Sequence, residues 1–66
     1  MISLFKKGDL VRTVEVPEGS YPSVLESLGK VGEIARPMDG GAYAVYHHHG
    51  CIVVNEDCLE LVKGAN

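Results

Sequence analysis

Glycines and prolines cut this chain into short segments, and that punctuation limits its fold more than any other feature. Within the segments, apolar and polar residues alternate, which is the period of a half-buried strand. After the Gly8-Asp9 turn signal, Leu10, Arg12, Val14 and Val16 fall on one face and Val11, Thr13 and Glu15 on the other. The β-branched content predicts a strand over 9–16. Prolines and a glycine then break strand structure in "PEGSYPSVLESLG". Pro22 suits the first position of a short helical turn running to Leu28 and ended by Gly29, with Val24, Leu25 and Leu28 as its apolar edge.

The remaining chain reads the same way. A second strand is predicted over 30–36, with Gly32 marking a bend or a close backbone approach and Pro37 ending the pairing. "MDGG" is a hairpin turn signal, because Gly40 and Gly41 take positive φ without a Cβ clash. "AYAVY" and "CIVVN" are strands three and four, joined by "HHHG" as a four-residue turn. A single helical turn over 55–58 and a closing strand over 59–62 complete the pattern. In the hairpin, Tyr46 should pair with Cys51 and Val45 with Ile52, which turns Tyr43, Val45, Ile52 and Val54 inward and Tyr46 and Cys51 outward. The alternative, one continuous strand through "HHHGC", would put His47, His49 and Cys51 on one face. The expected core is Val11, Val31, Ile34, Val45, Ile52 and Leu61, with Cys58 packed under the final turn as a small apolar residue.

At 66 residues the chain is one domain, spanning 1–66. A domain this small buries only ~60% of the surface its unfolded chain exposes. A catalytic cleft would have to be carved from that small core, so the expectation is a non-enzyme working at its surface. Six Lys and Arg face nine Asp and Glu, giving a net charge of −3. Phosphate neutralisation needs the opposite balance, so nucleic acid is not the expected partner. No apolar run approaches the ~20 residues of a membrane span. In "MISLFKKGD" the charges follow a short apolar run, which is the wrong order for a signal peptide. The expected location is the cytoplasm, with Cys51 and Cys58 reduced.

The segments "KKGDLVRTV", "GKVGEIA", "YAVY" and "NEDCLELV" follow one another in an order that resembles small SH3-like barrel proteins. The pattern is similar to KOW-type modules and, more closely, to the variable chain of ferredoxin–thioredoxin reductase and related accessory barrels. The resemblance covers most of the chain. Together with the strand pattern, it implies an all-β fold: a small five-stranded SH3-like barrel with a long first loop and a short helical turn before the last strand. It also implies a non-catalytic accessory or adaptor role, in which the module binds a protein partner as a subunit of a larger complex.

The expected contact residues are Tyr21 and Pro22 in the first loop, and Tyr46, His47, His48 and His49 at the hairpin. Interfaces favour tyrosine, and histidine titrates near neutral pH. No catalytic residue, cofactor or metal is expected. Two alternatives remain. A transition-metal module would use His47, His48, His49 and Cys51, whose imidazole and thiolate groups suit zinc, copper or nickel. A KOW-like RNA contact would use Lys6, Lys7, Arg12, Lys30 and Arg36.

Overall fold

A computed structural model describes residues 4–48 and 50–65. Five strands form one antiparallel sheet: β1 (Leu10–Thr13), β2 (Val31–Pro37), β3 (Ala42–His47), β4 (Gly50–Asn55) and β5 (Leu59–Lys63). Their order across the sheet is β4-β3-β2-β1-β5. The long β1–β2 connection carries one short helix, α1 (Pro22–Glu26), and 3₁₀ turns cover Asp39–Gly41 and Glu56–Cys58. The all-β expectation holds. The sheet itself is open, since no ladder joins β4 to β5 among the described residues.

The hairpin register is the one that alternation requires. Val45 pairs with Ile52 and Tyr46 with Cys51. Tyr43, Val45 and Val54 are buried and Ile52 is half-buried, whereas Tyr46 and Cys51 are exposed. The ladder continues one step further than expected, to His47 opposite Gly50. His47 and Gly50 therefore belong to the paired strands and not to the connection, and the hairpin pairing rules out one continuous strand through "HHHGC". The turn at 38–41 has Gly40 and Gly41 both at φ +78°, closed by Met38 N–H donating to the Ala42 carbonyl at 2.8 Å. Pro37 is itself paired, and the pairing ends with it rather than before it. It stands opposite Tyr43 as the last residue of β2, a strand-end position where a missing N–H costs little.

The core gathers Phe5, Val11, Val24, Ile34, Tyr43, Val45, Val54, Cys58 and Leu59, with Val16 and Ile52 packed against it. Two expected core residues lie elsewhere. Val31 is 44% exposed, because it pairs with Arg12 on the outer face while its neighbour Gly32 takes the inward position opposite Val11. Leu61 is 50% exposed, because β5 is an edge with a neighbour on one side only. In α1 only Val24 is buried; Leu25 and Leu28 are exposed, so the expected apolar edge narrows to one side chain. β1 is shorter than predicted. Beyond Thr13 the chain leaves the ladder, and Val14 N–H donates to the Cys58 carbonyl at 2.8 Å.

Two buried polar side chains tie the ends of the chain to the sheet. The Asp9 carboxylate accepts from Ala65 N–H at 2.8 Å and from Lys6 N–H at 3.0 Å. Those two donors, Ala65 first, hold its carboxyl below the usual carboxylate range against the opposing effect of burial. The Tyr43 hydroxyl accepts from Leu4 N–H at 2.8 Å and Phe5 N–H at 3.3 Å, and its ring meets Phe5 edge-on at 5.3 Å. Thr13 is the reverse case. It is fully buried, and its Oγ1 has no hydrogen-bond partner among the described residues. An unsatisfied buried hydroxyl costs about 1–3 kcal/mol, whereas a methyl of the same shape costs nothing of the kind. Thr13→Val is therefore expected to stabilise the fold by about 1–2 kcal/mol in urea unfolding. A loss of stability would mean that the hydroxyl has a partner after all.

Candidate functional site

α1 lies against β4, and two grooves open where they meet. The first has a volume of about 160 Å³ and runs between α1 and the end of the β3–β4 hairpin. Ser23, Glu26, Ser27 and Lys30 form one wall, and His47, His48, Cys51 and Ile52 form the other. The second, about 140 Å³, lies toward the other end of β4, where Tyr21 and Val24 face Val53, Asn55 and Cys58.

The expected contact residues divide between these places. Tyr21 stands immediately before α1 and is 80% exposed at the second groove, and Pro22 follows as the first helical residue. Tyr46, 57% exposed, faces outward beside Cys51 and lines neither groove. His47 and His48 both line the first groove. His49 lies outside the described residues. The structure thus brings His47 and His48 together with a wall from α1 and the segment that follows it, which sequence reasoning did not assign. Part of that wall was legible: Ser23 and Glu26 stand three residues apart within the expected helical turn, whereas Ser27 caps α1 and Lys30 follows beyond Gly29.

His47 is half-buried, and its Nε2 is enclosed without a hydrogen-bond partner among the described residues. Burial first, and the nearby Lys30 ammonium second, push its pKa below the ordinary histidine value. Cys58 is buried, and burial together with the Glu15 and Asp57 carboxylates pushes its thiol up, so it stays protonated and inert at neutral pH. Cys51 is exposed and unbridged. Among the described residues, no group of three or more His, Cys, Asp or Glu converges in a way that could hold a metal ion. Of the five cations considered for an RNA contact, Arg12 is paired with Glu60 at 3.3 Å on the exposed sheet face. No described helix is long and apolar enough to cross a membrane. No family model, curated protein or solved structure matches the chain.

Proposed function

We propose that this chain is a small cytoplasmic SH3-like module, without catalysis of its own, that binds a protein partner as an accessory subunit. Support for the fold assignment comes from topology. Each strand adjoins its successor through β4, β5 returns beside β1, the long loop lies between β1 and β2, and a 3₁₀ turn precedes β5. The binding surface is the α1 side of β4, reached by Tyr21 in the second groove and by His47 and His48 in the first.

The observation that carries this reading is the Tyr21 ring. It stands 80% exposed beside a groove in a domain that has little apolar area to spare. Tyrosine in such a position supplies a large contact area at low entropic cost, and interfaces concentrate it. Tyr21→Ala is expected to leave the thermal melt unchanged. It should weaken the partner complex by about 2 kcal/mol, roughly thirtyfold in Kd, as for a central aromatic contact. Affinity capture from native lysate identifies the partner, and titration of wild-type and variant protein then compares the affinities. Equal affinities would remove Tyr21 from the surface, and a lower melting temperature would make it a structural residue.

A further inference from the structure

The His47 ring lies over β2 at the one inward position of that strand that has no side chain. A Cβ on Gly32 would sit 2.8 Å from His47 Nε2, 2.7 Å from Val45 Cγ1 and 2.6 Å from the Tyr46 carbonyl oxygen. Gly32 is therefore a seat that the imidazole fills. Enclosed there, Nε2 has no hydrogen-bond partner among the described residues.

A neutral ring tolerates this seat at the cost of one unsatisfied polar atom. An imidazolium does not. Both of its nitrogens are donors, and a charged N–H enclosed without an acceptor is far more costly. The surroundings add to the imbalance. Lys30, between α1 and β2, lines the same groove and repels a second positive charge. From β2, Gly32 faces the ring and Val31 lines the same groove, while Glu33 is in register with Tyr46 on the opposite face. β4 contributes Cys51 and the turn contributes His48. Glu26, on α1, is the carboxylate that lines the groove.

We propose that His47 is a proton-operated latch on the first groove: neutral, its ring sits on Gly32 and forms the groove wall; protonated, it leaves that seat and turns toward Glu26. The latch needs no particular partner, so it stands apart from the binding role proposed above. The direction of its titration agrees with the geometry, because burial and Lys30 both favour the neutral ring in the folded chain. A folded-state pKa below the unfolded value of about 6.5 has a definite consequence. The seated ring contributes its full stability above that value. The contribution falls as pH drops toward the folded pKa and levels off below it.

The test is an NMR titration of the full chain from about pH 8 to about pH 4.5, across the range where histidine changes charge. The His47 ring should titrate with a midpoint below about 6.5. The Gly32 and Ser27 amides should shift with the same midpoint. In H47Q those amide shifts should disappear, and in E26Q the His47 midpoint should fall further because the acceptor for the released ring is gone. A His47 midpoint at or above 6.5, or a Gly32 amide that ignores it, would overturn the latch using the wild-type chain alone. Persistence of the Gly32 shift in H47Q would overturn it as well. An E26Q midpoint equal to that of wild type would overturn the turn toward Glu26.

Discussion

Ile34→Ala is expected to destabilise the protein by about 2–5 kcal/mol, the range for truncating a fully buried aliphatic side chain. Ile34 lies at the centre of the core with no accessible surface. Its β3 partner Val45 is equally buried, and its backbone is fixed on the β1 side. There, Ile34 N–H donates to the Asp9 carbonyl at 2.8 Å and Gly8 N–H donates to the Ile34 carbonyl at 2.9 Å. Such a framework cannot collapse around a smaller side chain, so most of the cavity persists. At this chain length the whole fold is worth roughly 3–10 kcal/mol. The variant should therefore lose a large fraction of its stability, read as a much lower midpoint in urea unfolding followed by circular dichroism. Ile52→Ala should cost less, because Ile52 is only half-buried at the groove. A larger loss at Ile52 than at Ile34 would place the centre of the core elsewhere.

Gly32→Ala should also be costly, by about 1–3 kcal/mol or somewhat more, for the opposite reason: overpacking. In a strand, exchanging glycine for alanine ordinarily gains about 0.5–1 kcal/mol by removing unfolded-state freedom. Here the added methyl would meet a backbone carbonyl oxygen at 2.6 Å. That oxygen belongs to Tyr46, in the strand paired with β2, so relief requires β2 and β3 to separate. Rotating the His47 ring away relieves only one of the three close contacts. The clash outweighs the entropic gain, and the sign of the substitution reverses. Urea unfolding should show the loss of stability, and a variant as stable as wild type would show that the two strands are not held at this spacing.

Much of this fold is legible in local chemistry. Gly40 and Gly41 mark their turn because positive φ is open to them at no steric cost, and both adopt it. Alternation in "AYAVY" and "CIVVN" decides which residues face inward, since a slip of one residue would turn Val45 and Val54 out to water. The same rule places Tyr46 and Cys51 outward, and the loop position leaves Tyr21 exposed. Pro22 at the start of α1 follows from its fixed φ and absent N–H.

Other features depend on contacts between distant parts of the chain. In "KVGEIA" the alternation fits either face, and Val31 is the more apolar choice for the core. Gly32 takes the inward position because the His47 ring and the Tyr46 backbone occupy the space a side chain would need, and those come from another strand. Ala65, held by Asp9, and Leu4, held by Tyr43, lie 56 and 39 residues away from them, so neither tie to a chain end could be assigned from neighbours in sequence. The spacing of Ser23 and Glu26 puts them on one side of α1, but that side becomes the wall of a groove, joined there by Ser27 and Lys30, only where the helix lands against another element. The histidines stand out in the sequence, whereas the seat that sets the environment of His47 is created by the packing of β3 on β2.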